Sequence, residues 1–379
     1  MKAFPHDKWF GWLSLMMVAG YFVVGLWPFE FHPANRVSWF ADPPGLHFEP
    51  YGIAYDPTPL PAPNDTARSS ANFTVELWLE AQHEPVNNVF DILTIHNRHL
   101  PLDFTLYQWR RDFILQATTQ PPQPAGSRSE AGVDDMLSEH TVQFITVRGD
   151  AAGTDFYLNG LAAGHFPQFV ASPEALDGQL ILGNNASGKH SWTGRLLGLA
   201  LYRRALDAAE IARHSALWTH GRAGQLTNAP GLTALYLFDE GPGQQPGDSS
   251  GNHHRIIIPA IFEPVHKEFL ISPWRDIAYN RPDYSDIAVN IFGFVPFGFC
   301  FLLHRHRLKP NQRAANALLV VLAGAAVSLA IELIQAWLPN RTSSVTDLLT
   351  NTTGTLLGMV LALAIQSKVT DTKSTPETR

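Results

Sequence analysis

Four apolar segments set the limits on how this chain can fold: residues 9–28, 287–303, 314–338 and 348–366. The third holds one charged residue, Glu332, and the others hold none. Each is close to the roughly 20 residues that carry a helix across a bilayer core of about 30 Å. The second is the shortest, and a tilt or a local thinning of the bilayer lets such a helix span. Averages hide this pattern. With 45% hydrophobic and 16% charged residues, the composition looks like that of a soluble protein, because the apolar content is concentrated rather than spread.

Charge orients the spans. Lys2 and Lys8 precede the first one, as in an export signal, but Trp27-Pro-Phe-Glu-Phe31 is a poor small-residue cleavage site. An uncleaved anchor is therefore expected. The connection at residues 304–313 holds four Lys or Arg residues, which marks it as cytoplasmic. Both termini then lie inside, the second with Lys368, Lys373 and Arg379, and residues 30–285 lie outside. The sole cysteine, Cys300, sits in the second span. The exported part has no disulfide available and must be held by core burial, for which about 250 residues suffice. A net charge of −7 favours solubility and argues against a nucleic-acid partner.

The exported part has a strand pattern. In Phe73-Thr-Val-Glu-Leu-Trp-Leu-Glu80, residues Phe73, Val75, Leu77 and Leu79 share one face. Strand-like runs follow at 89–95, 104–109, 113–118, 141–148, 155–158, 179–182, 194–202 and 233–238. Asn159-Gly160, Asp177-Gly178 and Ser250-Gly-Asn252 supply turn residues that take a positive φ cheaply. Many short strands without intervening helices predict a β-sandwich or jelly roll. One helix is expected at residues 206–213, with Asp207 as N-cap and Glu210 three residues on.

Three features resemble laminin-G-like, concanavalin A-like domains: Phe73-Thr-Val-Glu-Leu-Trp78, Asp155-Phe-Tyr-Leu-Asn-Gly160, and the strand-then-helix run from Trp192 to Ile211. The resemblance covers about residues 40–262. Leu235-Tyr-Leu-Phe-Asp-Glu-Gly241 resembles an element that usually begins such domains and here comes last, as expected of a domain inserted between two helices. The resemblance implies binding of carbohydrate or protein, with Trp78 and Trp192 as candidate glycan contacts, and some relatives hydrolyse glycans. Glu76 and Glu80 flank Trp78, but four residues of strand span roughly 13 Å, whereas paired glycosidase carboxylates need about 5–9.5 Å. A solvated strand face is the simpler expectation. Calcium at Asp239 or Asp248 is a weak alternative, since Asp248 suits an Asx-turn and no EF-hand-like run is present. No other cofactor or metal is expected, His253-His254 included.

The later spans carry polar residues in a repeated pattern. Asp286-x3-Asn290-x2-Gly293 opens one span, Asp347-x3-Asn351-x2-Gly354 opens another, and Glu332 and Gln335 lie near the end of the span between them. Positions i, i+4 and i+7 share a helix face, and polar groups at membrane depth rarely face lipid. With Arg341 in the short loop, these residues are expected to meet at one depth toward the outer face. Gly293, Gly298, Gly354 and Gly358 offer surfaces for close helix packing, and Pro296 is expected to bend its span.

These residues, with Pro296 and Gly298, resemble the VanZ-like family. That resemblance implies a multi-pass protein of the bacterial cytoplasmic membrane and carries no established reaction. The polar residues can lock the helices, bind a lipid-linked saccharide or other amphipathic envelope component, or serve catalysis with Glu332 as base. No nucleophile–base pair or metal cluster supports the last. The expected architecture is an all-β concanavalin A-like sandwich (jelly roll) inserted into a four-helix α transmembrane bundle. Its expected parts are an anchor at 1–29, the sandwich at 30–285, a VanZ-like bundle at 286–367 and an unstructured cytoplasmic tail at 368–379. Its expected partners are membrane lipid and a cell-surface or cell-wall glycan or envelope protein.

Overall fold

A computed structural model describes residues 6–60, 72–82, 88–122, 129–274, 284–339 and 341–374. The chain forms two compact units, His32–His266 and the combination of Met1–Phe31 with Lys267–Arg379.

The first unit is a sandwich of two antiparallel sheets. Its strands are β1 (Val37–Ala41), β2 (Pro44–Phe48), β3 (Ala54–Tyr55), β4 (Phe73–Ala81), β5 (Val89–His96), β6 (Phe104–Trp109), β7 (Asp112–Gln116), β8 (Glu130–Val133), β9 (Val142–Asp150), β10 (Gly153–Leu158), β11 (Leu161–Phe166), β12 (Gln179–Leu182), β13 (Gly194–Tyr202) and β14 (Leu232–Tyr236). One sheet runs β1-β2-β13-β4-β9-β10-β11 with β14 also on β13, and the other runs β3-β12-β5-β6-β7-β8. The period-2 pattern explains the core: Phe73, Val75, Leu77 and Leu79 of β4 join Leu93, Phe104, Leu106, Phe113 and Leu199 between the sheets. The turn at Asn159-Gly160 has φ values of 51° and 81°, as its residue types predict.

The opposite face of β4 is not the solvated one expected. Helix α1 (His6–Leu26) belongs to the second unit, and α2 (Ala208–Thr219) lies over this sheet. Ile211 and Trp218 of α2 pack with Phe144, Ala200 and Tyr202. Asp207 and Glu210 form a full capping box at its start. Glu76 is thereby completely buried. His214 Nδ1 lies 2.7 Å from its Oε1, and Trp218 Nε1 donates to Oε2 at 3.2 Å. Tyr202 OH stands 3.4 Å from the same oxygen. Burial and the neighbouring Glu76 hold the Tyr202 phenol far above its ordinary value.

The two ends of the sandwich leave side by side. Asn35 N donates to Ala260 O, Phe262 N donates to Pro33 O, and Tyr55 pairs with Ile257.

The second unit holds α1, α3 (Tyr284–Leu308), α4 (Arg313–Gln335) and α5 (Val345–Ser374). All four contain segments long and apolar enough to cross a membrane. α3 continues through Pro296. α5 reaches Ser374, so residues 368–374 are helical where an unstructured tail was expected. Consecutive spans are antiparallel, and α3 and α5 run parallel, with Gly354 at Ile291 and Gly358 at Val295. Gly11 of α1 faces His304, while Tyr21 donates to Gly293 O at 2.7 Å and stacks on Phe294. Likewise Gly324 of α4 faces Thr355 of α5, and Ser328 meets Asn351. The start of α1, the α3–α4 turn and the end of α5 therefore share one end of the bundle. Residues from Lys267 onward belong to this unit rather than to the sandwich. Lys267 Nζ donates to the carbonyls of Gln335 and Leu338, and Ile271 exchanges backbone hydrogen bonds with Ser343 and Val345.

Two histidine–carboxylate pairs in the sandwich generate a pH prediction. His254 Nδ1 lies 2.8 Å from Asp56 Oδ2, and that hydrogen bond raises the imidazole pKa. Burial alone would lower that of His190, but Asp91, 2.9 Å away, raises it overall. A raised folded-state value means stabilisation that is complete below the unfolded value of about 6.5 and is lost as pH climbs through the folded one. Thermal melts by near-UV circular dichroism should show the sandwich losing stability as pH rises above about 6.5. His254→Asn should flatten that slope, and stability rising with pH across this window would contradict the assignment.

Candidate polar site in the bundle

Ser328, Glu332 and Gln335 occupy positions i, i+4 and i+7 of α4, so they share a face. Asp347, Asn351 and Thr355, at i, i+4 and i+8, likewise share one side of α5. The structure brings these faces together at the end where α4 finishes and α5 begins. Asn290 of α3 donates to Asp347 Oδ1 at 2.9 Å, and Asn351 donates to Ser328 Oγ at 3.0 Å. Glu332, only 2% exposed, accepts the Ser344 N–H at 2.7 Å. Ser344 Oγ in turn accepts from Thr346 N, so Ser344 caps α5. A carboxylate at a helix N-terminus is electrostatically favoured, which explains why Glu332 is placed here.

The end of α1 is fastened by the same region. Gln335 Nε2 donates to Gly25 O at 2.8 Å, one of the last-turn carbonyls that lack an intrahelical partner. Arg341 was expected to reach a carboxylate. Its Nη2 instead donates to Trp27 O at 2.9 Å, where another carbonyl needs a donor. Asp286 does not join its expected partners: it is exposed in the first turn of α3. Asn351 Oδ1 and Gln335 Oε1 are buried and have no hydrogen-bond partner.

Three of the four expected packing glycines sit at close approaches. A Cβ on Gly354 or Gly358 would collide with the carbonyl oxygens of Ile291 and Val295, and one on Gly298 with that of Thr355. Gly293 is the exception, with open space where its Cβ would be; its carbonyl is the acceptor for Tyr21. Sequence reasoning missed Ser328, Ser344 and Gly324. Their signal was available, since Ser328 is one turn before Glu332 and Gly324 one turn before Ser328.

On the sandwich, Trp192 is not a glycan contact. It is fully buried against Phe48, and its Nε1 donates to Gln108 Oε1 at 2.9 Å. Trp78 is half-buried beside Trp218 of α2. Glu80 is bound by Arg195 at 3.1 Å, and Glu76 is sealed under α2, so these carboxylates do not share an open face. Asp248 accepts from Leu235 N, Ser250 N, Ser250 Oγ and His254 N, which makes it the turn residue its sequence suggested. Asp239 lies just after β14. His254 is engaged by Asp56, and His253, its neighbour, takes a positive φ of 63°. Among the described residues no group of three or more His, Cys, Asp or Glu side chains is arranged to hold a metal ion.

Residues 232–366 match the VanZ/LLP1 family model, and residues 55–212 match a laminin G model of the concanavalin A-like lectin/glucanases superfamily. The chain combines a VanZ/LLP1 segment with a concanavalin A-like segment. The VanZ/LLP1 match begins at the first residue of β14, so it takes in the last part of the sandwich as well as α3 to α5. With its four apolar helices, the chain fits a membrane protein. No curated protein matches it. Among solved structures, it is similar to a SAP-like pentraxin from Limulus polyphemus, at 13% identity over 43% of this chain and 75% of that one, with a TM-score of 0.32. It is also similar to the CBM40 of Ruminococcus gnavus IT-sialidase, at 15% identity over 38% of this chain and 82% of that one, with a TM-score of 0.32. The binding domain of Paraclostridial mosquitocidal protein 1 aligns at 12% identity over 49% and 47%, with a TM-score of 0.34.

Two contrasts test the packing of the VanZ/LLP1 segment, each read as thermal stability of the detergent-solubilised protein. Gly358→Val should cost roughly 1–3 kcal/mol by overpacking, whereas Gly293→Ala should be nearly neutral; similar losses from both would refute the close-approach geometry. Glu332→Gln keeps an acceptor for Ser344 N–H and should be tolerated. Glu332→Leu strands that amide and should cost about 1–3 kcal/mol, and equal effects would show that this hydrogen bond contributes nothing.

Proposed function

We propose that this protein displays a concanavalin A-like sandwich outside the cytoplasmic membrane of a bacterium, where it binds a surface or cell-wall glycan or an envelope protein. The observation that carries the reading is topological. α1 and α3 are antiparallel, and residues 33–35 run beside 260–262, so the whole sandwich starts and finishes on one side of the membrane. The four Lys and Arg residues at 304–313 favour the cytoplasm for the opposite end. The superfamily match over residues 55–212 supports carbohydrate as the ligand class.

A second reading has its own observation. The buried, unpaired Asn351 Oδ1 and Gln335 Oε1 flank Glu332 on the α4–α5 face, and such acceptors suit hydroxyl donors of a lipid-linked saccharide. The remaining contacts of the cluster are between helices and favour a lock that holds α1, α3, α4 and α5 in register. Neither reading needs a cofactor.

Full-length protein in lipid nanodiscs, applied to an array of bacterial surface and cell-wall glycans, should bind a restricted set of structures. A flat response from folded protein would move the assignment to a protein partner. Binding that survives in Asn351→Leu would assign it to the sandwich rather than the bundle.

A further inference from the structure

The α3–α4 turn holds Arg305, Arg307, Lys309 and Arg313 together with His304 and His306. The only carboxylates of α3 and α4, Asp286 and Glu332, lie at the other end of the bundle. Orientation by positive charge explains the number of these residues, but it is indifferent to where they point. It does not explain why three of their nitrogens are buried. Arg305 Nε, His304 Nδ1 and His306 Nε2 are all buried without a hydrogen-bond partner. An arginine nitrogen is always a donor, and a buried donor left unmet is costly.

The cluster is also built, not merely basic. Gly11 of α1 lacks the Cβ that would press on the His304 ring. The Arg307 guanidinium lies over Phe10 of α1, 4.8 Å from the ring centroid. His306 Nδ1 is 2.8 Å from Gln366 Oε1 of α5. Asn316 of α4, fully buried, donates to the carbonyls of Lys309 at 2.8 Å and Arg305 at 3.4 Å, which fixes the turn. Four helices thus hold Arg305, with its unmet Nε donor, and the guanidinium of Arg307 at one end of the bundle. What the Arg305 Nε lacks is an acceptor oxygen, and at a membrane surface phosphate headgroups supply one.

We propose that the end of α3 at residues 304–307, with Phe10 and Gln366, is a binding site for the phosphate headgroup of an anionic phospholipid. The test uses full-length protein in a neutral detergent, with phosphatidylglycerol, phosphatidylcholine or inorganic phosphate added. Phosphatidylglycerol should raise the melting temperature, and phosphatidylcholine should not. The double variant Arg305→Gln/Arg307→Gln should lose most of that gain. Lys309→Gln/Arg313→Gln, which removes the same charge from positions outside the site, should keep it. Equal losses in the two variants would overturn the site in favour of diffuse attraction, and an equal gain from inorganic phosphate would overturn the lipid assignment. Native mass spectrometry of the unmutated protein gives a measurement independent of variant folding: retention of phosphatidylglycerol no better than phosphatidylcholine would also overturn the proposal.

Discussion

The bundle is organised by a backbone-to-backbone contact between α3 and α5. Lipid offers no hydrophobic drive for two apolar helices to associate, so packing depends on how near their backbones can come. Gly354 and Gly358 present no side chain to the carbonyls of Ile291 and Val295, and Gly298 presents none to Thr355. This contact fixes α3 against α5 both in distance and along the axis. Asn290 is thereby held within hydrogen-bond reach of Asp347. The polar seam follows from the glycines, because an amide and a carboxylate can meet between helices only if no larger side chains hold them apart. α4 then closes against α5 by the same device, with Gly324 admitting Thr355 one turn from the Ser328–Asn351 bond.

The two units treat a buried carboxylate alike despite their different surroundings. Glu76 sits at the centre of a sheet face under α2, and Glu332 sits near the end of an apolar helix. Each is taken out of water, which is expensive unless hydrogen bonds replace hydration. Glu76 has His214, Trp218 and Tyr202 around it. Glu332 has the Ser344 amide at the start of α5. In both cases the carboxylate ties one element to another: α2 to the sheet, and α5 to α4. The contacts account for position and rigidity. They leave these carboxylates poorly placed for chemistry on a solvent-borne substrate.

Much of this architecture was legible because it rests on periodicity. Alternation at Phe73–Leu79 placed β4, the capping residues Asp207 and Glu210 placed α2, and the i, i+4, i+7 stripe from Asp347 placed the polar face of α5. The failures have physical causes as well. β11 carries Leu161, Ala162 and Ala163 on an exposed edge, so it shows no apolar alternation. β1 and β2 are joined through Asp42-Pro43, whose proline masks the hairpin signal. Trp192 looked like a surface aromatic because sequence does not reveal that its indole N–H is met by Gln108 inside the core. Glu76 looked solvated because the helix that covers it lies more than a hundred residues further along the chain. Asp286 matched Asp347 in spacing, but its helix turns that position outward.

The insertion of a sandwich into a bundle works only under two geometric conditions, and the chain meets both. The first is that the spans on either side of it in the sequence run in opposite directions. Tyr21 against Gly293 and Gly11 against His304 establish this for α1 and α3. The second is that the sandwich ends lie together, so that its fold is not pulled apart by its anchors. The hydrogen bonds between 33–35 and 260–262 supply that closure. It also gives a reason for the placement of β14 and the strand pairing at Ile257. β14 pairs with β13, while Ile257 returns beside Tyr55 of β3, so the C-terminal part of the sandwich extends both sheets. A VanZ/LLP1 match that starts at β14 is consistent with this, since the returning segment is continuous in sequence with the helices that follow it.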